Sequence, residues 1–174
     1  MKAIYDKGRR TVVVANDRVA TTATPLKIVP VLRLDALFRR LVYAVSGTLF
    51  ASGAAWFLAD RLKDPFGEDI WQASAPYLLM LHGGAAMAML LTLGALIPLH
   101  VQRAWRAKAN RTTGSIMLVL NAALILTAFG LYYLGSETLR PVTSGLHIGF
   151  GLLFPLLFLA HLLVGRARSR NAAR

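Results

Sequence analysis

Four histidines carry the first chemistry in this chain: His82, His100, His147 and His161. His82 and His100 stand near the two ends of LHGGAAMAMLLTLGALIPLH (81–100), a stretch otherwise apolar apart from one threonine. His147 and His161 bracket a second such run. An imidazole is a metal ligand and a proton carrier. Inside an apolar run it is costly to keep, and it marks function by default. Each residue of a helix advances about 100°, so the eighteen steps from His82 to His100 return to one face, and the fourteen from His147 to His161 fall about 40° short of a return. Each run therefore presents its two imidazoles on one stripe.

The elements that must position them are membrane helices. The chain has 174 residues, 56% hydrophobic and 16% charged, where a soluble domain carries about 25% charged residues. Charge-free windows lie between Arg40 and Asp60, Ile70 and Gln102, Thr112 and Ser136, and Pro141 and Gly165. A membrane helix needs roughly 20 apolar residues, and only helices satisfy their own backbone in lipid. The expected fold is an all-α integral membrane protein, an up-down bundle of four transmembrane helices near 38–59, 75–100, 115–134 and 142–165. Short connections such as GSETLRP (135–141) make neighbours antiparallel.

The net charge of +12 would suggest nucleic acid in a soluble protein, but its distribution argues against that. Nine Lys/Arg lie in residues 1–40, four in the 101–114 loop (Arg103, Arg106, Lys108, Arg111) and four after residue 165. The opposite loops hold three (Arg61, Lys63, Arg140) against five acids. The positive-inside rule puts both termini and the 101–114 loop in the cytoplasm, with the basic residues facing anionic lipid. The chain then divides into a cytoplasmic arm (1–36), a membrane domain (37–166) and a basic tail (167–174). Within the arm, TVVVANDRVATT (11–22) reads as a β-hairpin. The arm is either a lead-in without fixed structure or a docking arm for a partner. No apolar segment with a small-residue cleavage site opens the chain. Trp56, Trp71, Tyr77, Trp105, Tyr132 and Tyr133 fall near helix ends, where interfacial aromatics belong.

With this topology the second and fourth helices run the same way, so the histidines pair by depth: His82 with His147, His100 with His161. One imidazole from each side is the axial donor set of a low-spin haem, supplied by facing helices of a bundle. Two pairs place two non-covalent b-type haems roughly 21–27 Å apart by helix rise. The absence of cysteine excludes covalent c-type attachment and Cys-ligated clusters. Zinc wants a compact set of several ligands, and a proton relay wants carboxylates; neither is present. Gly83, Gly84 and Ala86 after His82, and Gly145, Gly149 and Gly151 around His147, offer small faces for a flat cofactor or for helix packing. Pro155 removes a hydrogen bond and can kink the fourth helix, correcting the angular shortfall. Asn121 reads as glue between helices. Arg103, Arg106 and Arg166 are candidate propionate partners for the inner haem and Arg140 for the outer, or simply topology-setting charges.

The stretch LHGGAAMAMLLTLGALIPLHVQRAWRAKANRTTG, followed by GLYYLGSETLRPVTSGLHIGFGLLFPLLFLAHLLVGR, resembles the small four-helix bacterial b-type cytochromes called flavinylation-associated cytochromes. More loosely, it is similar to di-haem b subunits of respiratory complexes. The resemblance covers about residues 40–166. It implies haem b on His82, His100, His147 and His161, and location in the bacterial cytoplasmic membrane. It also implies electron transfer between a quinone pool or cytoplasmic donor and an extracytoplasmic partner, a flavoprotein or cytochrome. No flavin-attachment motif is present, so flavin or quinone would belong to or arrive with a partner. Two other readings compete: a quinol-oxidising membrane anchor, weakened by the lack of an intramembrane acid, and a haem-free scaffold.

Overall fold

The computed structural model describes residues 34–66 and 69–171. The arm and its expected hairpin at 11–22 lie outside the described residues. Among these, every regular element is helical. Helix α1 runs Ala36–Leu62, α2 Ile70–Arg106, α3 Arg111–Tyr133 and α4 Leu139–Asn171. Four helices are thus long and apolar enough to cross a membrane. Their surface agrees with that solvent. Leu91, Met80 and Leu126 are 79%, 73% and 70% exposed, while Ser46, Ser52 and Thr92 are buried. Apolar faces of this extent would associate in water.

The observed helices outrun the expected ones because polar residues at their ends continue the hydrogen-bond ladder. In α1, Asp35 accepts from the Leu37 N–H at 3.0 Å. In α2 the start moves to Ile70, since Asp69 caps it, accepting from the Gln72 N–H at 2.7 Å and, across the turn, from the Asp64 N–H at 2.8 Å. Those two backbone donors, Gln72 first, hold the Asp69 carboxyl below its ordinary 3.8. Before α4, Ser136 Oγ accepts from the Leu139 N–H at 3.3 Å.

The basic 101–114 loop proves to be mostly helix. Only four residues separate α2 from α3. The Ala109 N–H reaches the Ala104 carbonyl at 2.9 Å and the Lys108 N–H reaches the Trp105 carbonyl at 3.2 Å. With Lys108 at φ 52°, this is the Schellman arrangement that ends a helix. Arg111 locks the turn from the other side, its Nη2 donating to the Trp105 carbonyl at 2.8 Å.

Close packing joins α1 to α2 and α3 to α4. Between these two hairpins α1 meets α4 over a shorter stretch, and α2 meets α4 at no more than isolated points. The histidine-bearing helices thus stand apart. The core consists of Met89, Leu120 and Phe154, with Leu49, Leu93, Leu124 and Phe158 among the residues packed around it. Each of the three lies midway along its helix between residues of the two histidine levels.

Candidate functional site

The four histidines meet in the two pairs that their depth requires. The rings of His82 and His147 have centres 6.2 Å apart and planes at 88°. Those of His100 and His161 have centres 6.2 Å apart and planes at 90°. The angular shortfall on α4 is matched on α2. Helix α4 runs unbroken through Pro155, whereas α2 widens into a π-turn over Ile97–Val101, where the Gln102 N–H reaches back to the Ile97 carbonyl. Pro98 lacks the N–H that would bind the Gly94 carbonyl, and its ring crowds that group; a widened turn relieves both problems. A π-turn advances less per residue than an α-turn. His100 therefore lags a full return from His82 in the same sense as His161 lags His147, and both pairs close.

Three of the rings are held through Nδ1 by a neighbouring helix. The His82 Nδ1 lies 3.0 Å from the Leu49 carbonyl and 3.2 Å from Ser52 Oγ, both on α1. A carbonyl only accepts, so Nδ1 carries the proton and Nε2 keeps its lone pair. The His147 Nδ1 lies 2.9 Å from Thr127 Oγ1 on α3. That hydroxyl donates to the Ala123 carbonyl at 2.8 Å, so it accepts from His147, with the same consequence for Nε2. The His161 Nδ1 lies 3.0 Å from Thr113 Oγ1, which itself donates to the Asn110 carbonyl at 3.4 Å. His100 differs: its Nδ1 is buried with no partner among the described residues. No Nε2 of the four is hydrogen-bonded among the described residues.

Glycine supplies the room. A Cβ at Gly53 on α1 would lie 2.8 Å from His82 Cε1 and 3.0 Å from Nδ1, while Gly114 on α3 faces His161 Cε1 at 4.0 Å. The sequence reading placed the small residues on the histidine helices and missed these two, along with Ser52, Thr113 and Thr127. A signal was available. Ser-Gly at 52–53 stands two turns inside α1, and Thr113-Gly114 opens α3, each small pair at the depth of one histidine. Gly83 faces α3, where a Cβ would be 3.9 Å from the Tyr132 hydroxyl, and a Cβ at Gly151 would enter open space.

The remaining candidates lie elsewhere. Arg103 and Arg140 are exposed, with no side-chain hydrogen bond or ion pair among the described residues. Arg166 lines an apolar groove with Tyr43, Ser46 and Phe158. Asn121 donates to the Met117 carbonyl of its own helix at 2.8 Å, so it bonds one turn back instead of joining helices.

Chemically, each level offers two imidazoles and nothing more. Among the described residues no three His, Cys, Asp or Glu side chains come together, so a closed tetrahedral site has no donors here. A group that brings its own equatorial ligands needs only two. With an imidazole nitrogen about 2.0–2.1 Å from a bound metal and the ring centre about 1.1 Å behind that nitrogen, two rings on opposite sides of one ion stand about 6.3 Å apart. Both pairs meet that spacing. The residues present fit a bis-imidazole haem. Comparison with family models, with curated proteins and with solved structures finds no match.

Proposed function

We propose that this chain is a membrane b-type cytochrome that relays single electrons across a bacterial cytoplasmic membrane, one haem held by His82 and His147 and the other by His100 and His161. The observation that carries the reading is the doubled ring pair: two imidazoles 6.2 Å apart at each of two levels, on helices that otherwise keep their distance. The Nδ1 contacts of His82, His147 and His161 support it, because a metal-ligating histidine commonly donates its other N–H to a carbonyl or similar acceptor.

When bound, a haem at each level supplies a one-electron iron couple. The protein's part is positional. Leu49, Ser52 and Gly53 fix the tautomer and the place of the His82 ring; Thr127 does so for His147 and Thr113 for His161. Met89, Leu120 and Phe154 fill the space between the levels with apolar side chains, which keeps water out of the interior. The excess of Lys and Arg at the ends of α2 and α4 puts both chain termini on the cytoplasmic side by the positive-inside rule. The chain would serve as one subunit of a membrane redox complex, within the resemblance to flavinylation-associated cytochromes, with flavin or quinone on or with the partner.

The purified protein should be red, with a Soret band and a b-type pyridine haemochrome corresponding to two haems per chain. A colourless product from haem-replete cells would overturn the reading and leave a scaffold role in its place.

A further inference from the structure

Along the seam where α1 meets α4 runs a groove that the histidines do not use. Its walls include Tyr43, Gly47 and Phe50 on α1 and Phe154, Phe158 and Arg166 on α4. Phe158 ties the walls together: its ring centre lies 6.0 Å from that of Tyr43 at 74° and 5.6 Å from that of Phe154 at 14°. Gly47 keeps the groove open, since a Cβ there would meet nothing within 4 Å. The groove encloses about 310 Å³, near the lower end of small-ligand sites. That suits one extended apolar chain rather than a packed helix. Arg166 stands five residues beyond His161, about 140° around α4, so this face is not the histidine stripe.

Only one end of the groove is charged. Arg166 closes it on α4, and on α1 Arg39 and Arg40 stand one turn before Tyr43. None of the three forms an ion pair among the described residues. The acid at this end of α1, Asp35, is turned to its own helix and accepts from the Leu37 N–H at 3.0 Å. Three guanidinium groups at the head of an apolar channel complement an amphiphile with an anionic head. A guanidinium fork matches phosphate oxygens, whereas a neutral head would leave the charges unanswered. By the positive-inside rule this end faces the cytoplasmic leaflet, which carries the anionic lipids.

We propose that the groove is a specific site for one anionic phospholipid, its phosphate held by Arg166 with Arg39 and Arg40 and one acyl chain laid along Tyr43, Phe158 and Phe50. The α1–α4 contact is the short one between the two hairpins, so the lipid acts as mortar along that seam.

The test is native mass spectrometry and thermal unfolding of the full-length, delipidated protein in detergent, with phosphatidylglycerol or phosphatidylcholine added. One phosphatidylglycerol per chain should be retained where phosphatidylcholine is not, and it should raise the unfolding midpoint. Arg166→Gln should weaken retention about fivefold. Arg170→Gln, the same loss of charge one turn beyond the groove, should leave it unchanged. Gly47→Leu keeps every charge and fills the channel, and should abolish the preference. Equal retention of the two lipids, equal loss from Arg170→Gln, or a preference that survives Gly47→Leu would each overturn the proposal. Displacement of the lipid by a neutral quinone, indifferent to Arg166→Gln, would assign the groove to quinone instead. Lipid retention is read whether or not the protein carries haem, so failure here and failure of the haem reading are distinguishable.

Discussion

Replacing Gly53 with alanine tests whether α1 seats the His82 ring. The added Cβ would stand 2.8 Å from Cε1 and 3.0 Å from Nδ1, where carbon atoms settle about 3.5–4.0 Å apart. The ring must withdraw by roughly 0.5–1 Å. It cannot do so freely, because its Nδ1 is tied at 3.0 Å to the Leu49 carbonyl of the same helix. Overpacking costs about 1–3 kcal/mol and the lost hydrogen bond about 0.5–1.5 kcal/mol. Alanine returns about 0.5–1 kcal/mol in helix propensity, so a net loss of about 1–3 kcal/mol falls on one ring. Gly47→Ala is the control: it sits on the same helix with nothing within 4 Å of its would-be Cβ. Haem content and reduced-minus-oxidised spectra of detergent-purified variants, alongside thermal unfolding, provide the assay. Gly53→Ala should lose or distort the His82–His147 haem while the other remains; Gly47→Ala should keep both. A Gly53→Ala protein with two unperturbed haems and native stability would refute the seating argument, as would equal damage from Gly47→Ala.

Further expectations follow from the same contacts. Alanine at any one of His82, His100, His147 or His161 should halve the pyridine haemochrome signal, with partners at one level giving the same residual spectrum; four identical residual spectra would break the pairing. Asp69→Asn keeps a good cap but removes the charge. Because the native Asp69 carboxyl is held below its ordinary 3.8, its contribution is fully present above that value and is lost as pH falls through the native one. The unfolding gap between wild type and variant should be constant near neutrality and close in acid, and a gap widening in acid would contradict the assignment. Arg111→Lys gives up the paired contacts of Nε and Nη2 with the Trp105 carbonyl at 3.2 and 2.8 Å. It should loosen the turn by about 0.5–1 kcal/mol, read as faster chymotryptic cleavage after Trp105. An unchanged rate would mean that the Schellman turn stands alone.

Four spans and two histidine pairs were legible in the sequence because both depend on simple periodicities. A charge-free window sets a helix, and the number of steps between two histidines sets their faces. Other features lay outside the reach of spacing. The lag of His100 comes from a widened turn after Pro98, and a proline in an apolar run announces trouble without saying how the helix resolves it. The extra turn at the start of α2 rests on Asp69, which also bonds the Asp64 N–H; in the sequence it is one acid among several in a loop. The clamps were hidden for a different reason. Ser52, Gly53, Thr113 and Thr127 are common residues in membrane helices, where hydroxyls bond back to their own turn. Thr127 does this too, and only the packing of α3 on α4 brings the same oxygen to His147.

That double use divides the work among the helices. Helices α2 and α4 carry the histidines but scarcely touch each other, so neither can hold the other's rings. Each is held by its hairpin partner instead: α1 fixes His82 on α2, and α3 fixes both His147 and His161 on α4. The arrangement lets the two histidine helices stay apart while every clamped ring keeps a defined tautomer. His100 is the exception, since the antiparallel register that places Gly53 beside His82 brings only the first turn of α1 to its depth. The helix that should clamp it has no further turn there to supply a hydroxyl. The unequal clamping of the two histidine pairs thus follows from where α1 begins.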